Sequence, residues 1–511
     1  MAVSHQWYVQ WSAPPMIIAD ISSRYNNVNE RWKDGDPKWS DPLKLPKRSE
    51  EKYKDYSNRE SWQDNDKYGS VYERQKNDGS RAAGITLWLA MLGVANTQRL
   101  GADMDTPPFT TLYKWKQVDF DFPSDRHRSV AISKGMYVPE NVLPLGLEVW
   151  GSRIWVTIPA WRRGVPATLA TLPREGGLAS ALLKPYPDWS FHRAFGDPKK
   201  ACSGLTSVFR VNADTCGRLW VLDSGQIDSQ DNPKQLCPPS IVVFDLYTDK
   251  VINRYTIPKM YVLQDSLFAN IIVDTRATDC SDLHLYIADT WRFGLIVFRE
   301  YDEKFWRFTN PLFYPDPLAS NFTLHGLNFQ WTDGIFGLAL TPYDQSQERI
   351  LFFHPMSSHR EFYVSTEVLR NPGATNDTAA DFNILGESRG LYGQSSASAI
   401  DKRGVMFYGL VTRDSIGCWD SNKPYQKQSQ GVVARNMETL VFPNDIKVDQ
   451  EDRQSVWVIS NRLPMFQAST LDQADYNYRI MFADVEEAAR SSVCNPDLKY
   501  TNNILPQGWL P

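Results

Sequence analysis

The stretch "CGRLWVLDSG" (216–225) has the pattern of one strand in a repeated β-unit. A Cys-Gly turn comes first, four apolar residues follow, and Asp223, Ser224 and Gly225 end the run. Short apolar runs bounded by glycine and polar residues are typical of buried strands. Similar runs recur along the chain, and we interpret them as equivalent second strands of a repeat: "SRIWVTIPA" (152–160), "GRLWVLDSG" (217–225), "LHLYIADTW" (283–291), "IFGLALTPY" (335–343), "GVMFYGLVT" (404–412) and "SVWVISNRL" (455–463).

Other strand-like runs flank these six. "LNFQWTD" (327–333) is interpreted as a first strand, and "SIVVFDL" (240–246) and "RILFFHP" (349–355) as third strands. A lone sheet of three or four strands leaves both faces uncovered, whereas six such sheets around an axis cover each other. The repeat therefore predicts an all-β fold, a six-bladed β-propeller over residues 110–500. A pair of β-sandwich domains is the competing fold.

Closure of the ring requires a strand from the other end of the propeller. "TTLYKWKQVDFDF" (110–122) has the alternation of such a strand, and "NYRIMFADV" (477–485) would be its neighbour. We predict that an N-terminal strand completes the last blade, and that residues 501–511 form a C-terminal tail.

The first part of the chain differs in composition. Residues 1–83 are polar and rich in mixed charge, so we predict a disordered extension. The apolar run 84–96 has the length of a signal-peptide core and is too short to span a bilayer. Three interpretations stay open: an upstream start that is not used, which we favour; a cytosolic extension before a short signal anchor; or a buried strand or helix at 84–96.

The net charge of −5 argues against a nucleic-acid partner, since no long basic block offsets it. The six cysteines show neither CxxC nor zinc-ligand spacing. An even number of cysteines scattered along the chain indicates disulfides in an oxidising compartment. Two glycosylation sequons begin at Asn321 and Asn376. The sequence thus predicts a secreted protein without stable membrane association, and it leaves the oligomeric state unknown.

Disulfide pairing follows from the predicted topology, although six cysteines allow 15 pairings. Cys202 precedes a first strand and Cys237 a third strand of one blade, so both lie at one rim. Cys216 and Cys280 lie in equivalent turns of adjacent blades. The expected pairs are therefore Cys202–Cys237, Cys216–Cys280 and, by elimination, Cys418–Cys494.

Several long motifs resemble the insect yellow / major royal jelly protein family: "CGRLWVLDSG" (216–225), "CPPSIVVFDL" (237–246), "LYIADTWRFGLIVF" (285–298), "GLYGQSSASAIDKRGVMFYGLVTRDSIGCWD" (390–420) and "FPNDIKVDQEDRQSVWVISNRLPMF" (442–466). "YKWKQVDFDFPS" (113–124) is similar to the opening segment of that family. The resemblance covers about residues 110–500 and implies a secreted six-bladed propeller. It also implies heterogeneous functions, which include dopachrome conversion, binding of biogenic amines in a central tunnel, and nutrition.

The polar ends of the strands are the candidate ligand site, because strand ends at one rim of a propeller surround the tunnel. The candidates for ligand binding are Asp223, Ser224, Asp289, Trp291, Gln394, Asn444, Asp445 and Asn461. Asn461 lies in a segment that resembles the amine-contacting segment of salivary relatives. The competing interpretation is that Asp and Asn residues here only cap turns.

Dopachrome conversion needs a base for a ring proton and a partner for negative charge. Asp223, Asp289 or Asp445 could be the base, and Arg292 or Arg462 could supply the charge. The expected ligand is a small aromatic amine, catechol or indole, with no cofactor and no metal. Two alternatives stay open: a non-catalytic amine-binding or structural protein of cuticle or eggshell, and a metal-dependent lactonase-like hydrolase.

Overall fold

The computed structural model describes residues 109–177, 179–192, 202–230, 232–276, 279–344, 348–376 and 379–498. The predicted extension (1–83), the signal-like run (84–96) and the tail (501–511) lie outside the described residues. The described chain forms six four-stranded antiparallel sheets, which are the blades of a β-propeller, and two two-stranded hairpins.

The strands follow the chain from the closing strand to the last blade. The closing strand is β1 (Thr110–Trp115). Blade 1 contains β2 (Gly146–Trp150), β3 (Arg153–Thr157), β4 (Leu169–Pro173) and β5 (Lys184–Pro185). Blade 2 contains β6 (Val208–Ala213), β7 (Arg218–Asp223), the separate hairpin β8 (Gln226–Ile227) and β9 (Lys234–Gln235), and then β10 (Ser240–Asp245) and β11 (Val251–Thr256). Blade 3 contains β12 (Phe268–Thr275), β13 (Leu283–Asp289), β14 (Gly294–Arg299) and β15 (Lys304–Thr309).

A second hairpin, β16 (Asn321–Leu324) and β17 (Leu327–Gln330), follows blade 3. Blade 4 contains β18 (Ile335–Leu340), β19 (Ile350–Pro355), β20 (Glu361–Ser365) and β21 (Asn383–Leu385). Blade 5 contains β22 (Ser395–Ile400), β23 (Val405–Leu410), β24 (Ser415–Asp420) and β25 (Gln430–Arg435). Blade 6 contains β26 (Pro443–Val448), β27 (Ser455–Ser460) and β28 (Tyr478–Asp484), with β1 as its fourth strand.

Short helices occupy the connections. The α-helices are Asp125–Ser133, Thr366–Arg370, Leu463–Gln467 and Val485–Arg490. The 3₁₀ turns are Pro139–Asn141, Trp189–Phe191, Lys259–Tyr261, Pro311–Phe313, Pro317–Ala319 and Pro372–Asn376.

The opening motif packs against both neighbouring blades. Leu219 and Val221 of β7 join a buried cluster with Trp155 of blade 1. Trp220 and Leu222, on the opposite face of the same strand, join a cluster with residues of blade 3. Alternate side chains of a strand point to opposite faces, and burial of each such side chain contributes about 1.5–3 kcal/mol. Both faces of this strand are therefore core, as the propeller interpretation requires.

The ring closes as predicted. The first strands contact one another in sequence from β2 through β6, β12, β18 and β22 to β26, and β26 contacts β2. β1 pairs with β28 from Thr110 opposite Phe482 to Trp115 opposite Tyr478. Trp115 is buried and its Nε1 donates to the Ala181 carbonyl at 2.7 Å.

The strand assignment in blade 4 was wrong. "LNFQWTD" (327–333) is not a first strand, because its residues form β17 of the separate hairpin and the segment after it. β18, interpreted as a second strand, is the first strand, and β19, interpreted as a third, is the second. The pattern misleads because the hairpin alternates in exposure like a blade strand, whereas β18 is buried along its whole length. The other five second strands are confirmed.

The three disulfides join the cysteines that the topological argument pairs. Cys202–Cys237 has a Cα–Cα distance of 5.4 Å, and Cys418–Cys494 one of 6.0 Å. Cys216–Cys280, with a Cα–Cα distance of 6.4 Å, links the first turns of blades 2 and 3. Disulfides stabilise a fold mainly by constraining the unfolded chain.

Replacement of Trp115 tests the closure of the ring. Trp115→Ala removes a buried indole and its hydrogen bond from the closing strand, so the free energy of unfolding should fall by about 3–5 kcal/mol. Tyr301→Ala, at a turn residue that is 68% exposed, is the control and should change it by less than about 0.5 kcal/mol. Urea unfolding of both variants gives the measurement. Equal effects would contradict a structural role for the closing strand.

Candidate active site at the upper rim

We define the upper rim as the edge of the propeller at which first strands begin and second strands end. The structure places all the predicted ligand residues at this edge. Asp223 and Ser224 end β7, Asp289 ends β13 and Trp291 follows it. The remaining candidates lie at the starts of β22 and β26 and just after β27: Gln394, Asn444, Asp445 and Asn461.

Asp223 binds the backbone at the start of its own blade. Its carboxylate accepts hydrogen bonds from the backbone N–H groups of Thr206 and Ser207, both at 2.8 Å, and of Gly225 at 3.0 Å. Burial raises the pKa of Asp223, and these three hydrogen bonds oppose the rise. Ser224 likewise donates to the Ser207 carbonyl at 3.1 Å. Their assignment to a ligand stays a prediction, since their present partners belong to the backbone.

Asp289 has the same role in blade 3. Its carboxylate accepts from the Leu267 N–H at 3.0 Å and the Ser266 hydroxyl at 2.6 Å. Arg307 donates to it at 2.8 Å. Arg292, the proposed source of positive charge, instead pairs with Asp265 at 2.7 Å. The ends of the second strands in blades 2 and 3 are thus tied to the segments that precede the first strands.

Three other candidates, Gln394, Asn461 and Arg462, also form hydrogen bonds or ion pairs with neighbouring residues of the protein. The Gln394 amide donates to the carbonyls of Ala319 and Asn321, both at 3.1 Å, which joins blade 5 to the hairpin β16–β17. The Asn461 amide donates to the Pro144 carbonyl at 3.0 Å and connects blade 6 to blade 1. Arg462 pairs with Asp475 at 2.6 Å.

Asn444 and Asp445 meet a buried arginine that the sequence argument missed. Arg210 of β6 donates through Nη2 to Asn444 Oδ1 at 2.7 Å, and its Nε lies 3.3 Å from Asp445 Oδ2. Its guanidinium carbon lies 5.5 Å from the centroid of the Phe336 ring in blade 4. A group that contacts blades 2, 4 and 6 lies on the axis of a six-bladed ring. Burial lowers the pKa of Arg210, and Asp445 opposes that shift.

β-Bulges near the upper rim bring side chains toward this axis. The register between first and second strands shifts at Phe209 in blade 2, Ala269 in blade 3, Phe336 in blade 4 and Asn444 in blade 6. Blade 5 has a similar shift between Ser395 and Ser398. Bulges redirect side chains and occur often beside active sites. Phe209, Ala269 and Phe336 belong to one buried cluster, although they come from three blades.

Asp333 is a buried carboxylate at the upper rim whose side-chain partners are two indole groups. It lies in "WTDG" (331–334), directly before β18, and is 8% exposed. Trp291 Nε1 donates to its Oδ1 at 3.0 Å, and the Trp331 side chain also hydrogen-bonds to it. Burial raises the pKa of Asp333 to about 7, and the two hydrogen bonds oppose that rise. A carboxyl group that titrates near neutral pH is suited to transfer a proton.

Aromatic rings pack around Trp331, which hydrogen-bonds to Asp333. The Trp331 and Phe442 rings are stacked with centroids 6.0 Å apart and an interplanar angle of 15°. Phe322 and Phe329 of the hairpin β16–β17 lie 5.8 Å from Trp331. Flat aromatic surfaces around one carboxyl group suit a planar ring that carries an exchangeable proton or an amine.

The hairpin β16–β17 carries this aromatic surface across the rim to blade 5. Its turn residues His325 and Gly326 both have positive φ values, 46° and 81°, which suits a tight hairpin turn. His325 Nε2 lies 3.0 Å from Asp414, in the turn between β23 and β24. Asn321, the first residue of β16, is exposed, as a glycosylation site would require. The side chain of Asn376 lies outside the described residues.

Asp333, Trp331 and Arg210 are not among the site residues predicted from the sequence. Asp333 is the last residue of "LNFQWTD" (327–333), and the end of a first strand would lie at the opposite rim from the site. The sequence WTDG immediately before a fully apolar run was the available signal. Arg210 gave no signal, because a single arginine in an apolar strand does not reveal that it reaches the axis.

Comparison with known proteins agrees with the motifs. The family described as major royal jelly protein matches residues 206–494. The chain belongs to this family. The dopaminechrome tautomerase of Drosophila melanogaster is 46% identical over 399 residues, which cover 76% of this chain and 85% of that protein. Protein yellow of Drosophila erecta and of Drosophila melanogaster are each 40% identical over 386 residues, which cover 75% of this chain and 70% of theirs.

Among the residues that the structure describes, no three His, Cys, Asp or Glu side chains come together in a group that could hold a metal ion. In the same part of the chain, helices long and apolar enough to cross a bilayer are absent.

The titration of Asp333 should be visible in tryptophan fluorescence. Because its folded pKa is about 7 and an unfolded aspartate titrates near 4, we expect a spectral step centred near pH 7. The folded state holds this proton longer than the unfolded chain does. The group's stabilisation is therefore full below about pH 4 and is lost as the pH rises to about 7, by on the order of 4 kcal/mol. Asp333→Asn should remove both the spectral step and this fall in stability. Their persistence in the variant would assign the titration to another group.

Proposed function

We propose that the protein binds a small aromatic aminochrome at the upper rim and catalyses its tautomerisation, as a secreted protein of pigment synthesis. The observation that carries this proposal is the Asp333 carboxyl group, which accepts hydrogen bonds from Trp291 and Trp331. The identity of 46% with a dopaminechrome tautomerase supports the reaction class. Membership of the family that includes protein yellow supports the role in pigmentation.

The reaction is an isomerisation, so it needs proton transfer and no oxidant. In an aminochrome, an o-quinone is fused to a saturated five-membered ring that contains nitrogen. Loss of protons from the two saturated ring carbons and gain of protons at the two quinone oxygens gives the aromatic dihydroxyindole with the same composition. We assign Asp333 as the base that accepts the first ring proton. Its raised pKa lets it hold that proton and later return it.

The surroundings of Asp333 fit this task. Trp331 and Trp291 beside Asp333 are only partly buried, so their flat faces offer surfaces against which a bicyclic ring can stack. The indole donors keep the carboxyl group in one orientation, and the low exposure of Asp333 limits competition from water. The hairpin β16–β17 would cover a bound ligand.

Secretion is proposed from the disulfides. All three bonds join cysteines of the propeller, and such bonds persist in oxidising compartments.

A non-catalytic amine-binding protein is the second candidate. The same combination of a carboxylate and aromatic faces can hold an ammonium group through an ion pair and cation–π contacts. Saturable binding of dopamine or serotonin without turnover of any aminochrome would favour this function over the first.

The experiment measures the disappearance of dopaminechrome and the formation of its dihydroxyindole isomer. Asp333→Asn should lower kcat/KM by about 10²–10⁴-fold, because it removes the base. The wild-type rate should rise with pH around a midpoint near 7, as Asp333 loses its own proton. Asp302→Asn, at a turn where Asp302 pairs with Arg299, is the matched control and should keep full activity. An Asp333→Asn variant as active as this control would exclude Asp333 as the base.

A further inference from the structure

Asn444, which lies beside the axial Arg210, has amide N–H donors that are not used by the described residues. Asn444 is 1% exposed, and its Nδ2 has no hydrogen-bond partner among the residues that the structure describes. Its Oδ1 already accepts from Arg210, so the amide N–H groups point to a different partner. A buried donor without an acceptor costs about 1–3 kcal/mol. Such a group at a bulge on the axis is a candidate for ligand contact.

Arg210 does not use all of its N–H donors in hydrogen bonds to the described residues. Arg210 is completely buried, and its Nη1 donates to the adjacent Phe209 carbonyl at 3.1 Å. Its Nε lies 3.3 Å from Asp445 without a well-aligned hydrogen bond. Asp445 in turn accepts a hydrogen bond from the Leu147 N–H at 3.0 Å, so its carboxylate interacts with Arg210 of blade 2 and with the backbone of blade 1. A guanidinium group with incomplete hydrogen bonding can donate to a further electron-rich oxygen.

The segment 333–336 connects Arg210 and Asn444 to Asp333, the proposed base. Phe336, whose ring lies against the Arg210 guanidinium, follows Asp333 by three residues. Three residues of extended chain span at most about 11 Å. The Cα atoms of Asp333 and Phe336 therefore lie within about 11 Å of each other, and Trp291 and Trp331 beside Asp333 pack in the same hydrophobic cluster as Phe336.

We propose that Arg210 and Asn444 form an oxyanion site on the propeller axis that receives a quinone oxygen of the aminochrome. This inference rests on the proposed function and assigns the second half of its chemistry. When Asp333 takes the proton, the electron pair of the broken C–H bond moves through the ring to the quinone oxygen. The oxygen becomes negative, and the Asn444 N–H groups and the Arg210 guanidinium stabilise it until it is protonated.

The test variant is Asn444→Asp. Aspartate has nearly the same shape and keeps an oxygen for Arg210, but it lacks the Nδ2 protons and repels a negative oxygen. The matched control is Asn310→Asp, where a similarly buried asparagine caps the turn Pro311–Phe313 through its oxygen and aspartate can do the same. Thermal unfolding should confirm that both variants fold. Asn444→Ser replaces Asn444→Asp if the latter does not.

The first readout is independent of turnover. 4-Nitrocatechol changes its visible absorbance when it ionises, so the spectrum of the bound probe reports which form the protein prefers. Wild-type protein and Asn310→Asp should bind the ionised form preferentially and shift the apparent pKa of the probe downward. Asn444→Asp should bind the ionised form at least 10-fold more weakly and lose that shift. Equal shifts in all three proteins would overturn the oxyanion site.

The second readout is kcat/KM for dopaminechrome, which should fall by about 10²–10³-fold in Asn444→Asp. If wild-type protein shows no turnover but the probe result holds, the tautomerase proposal fails and the oxyanion site stands. If wild-type protein turns over and Asn444→Asp matches Asn310→Asp in both readouts, the oxyanion site fails and the tautomerase proposal stands.

Discussion

The pairing of β1 with β28 is the constraint on which the rest of the structure depends. Every other blade takes its four strands from a continuous part of the chain, whereas blade 6 joins strands that lie more than 300 residues apart. A propeller with an open ring would leave one face of two blades exposed to solvent, and burial of those faces is a main source of stability. Closure also holds β26 against β2, and this contact brings Asp445 to the Leu147 backbone.

Polar groups at the upper rim have two different physical roles. The carboxylates of Asp223 and Asp289 satisfy backbone N–H groups that precede the first strands, and so they connect the ends of each blade. Such groups would be costly to release for a ligand, because buried N–H donors would lose their acceptors. Asp333 and Asn444 differ: indole donors orient the Asp333 carboxyl group, and the Asn444 Nδ2 has no hydrogen-bond partner in the described part of the chain. This difference is the reason that we assign chemical roles to Asp333 and Asn444 and not to Asp223 and Asp289.

The sequence predicted the rim but not the residues that we propose carry the chemistry. Asp223, Asp289, Asn444 and Asp445 were found because strand ends in a repeat are recognisable, and all of them lie at the upper rim. Asp333 was missed because the hairpin β16–β17 interrupts the repeat and alternates in exposure like a blade strand. Arg210 was missed for another reason: a contact between blades 2 and 6 joins residues more than 230 positions apart, and no local pattern encodes it.

The amino-acid sequence by itself determined the fold class, the number of blades, the strand that closes the ring and the cysteines that can pair. These features follow from local patterns: short apolar runs, turns between them, and the equivalent positions that a repeat creates. Only the tertiary structure decided which polar groups satisfy backbone N–H groups and which have other partners. Whether a carboxylate accepts from backbone, as in Asp223, or from two indoles, as in Asp333, depends on groups that the folded blades bring close. The burial that raises the pKa of Asp333 to about 7 has the same origin, because its neighbours come from different parts of the chain.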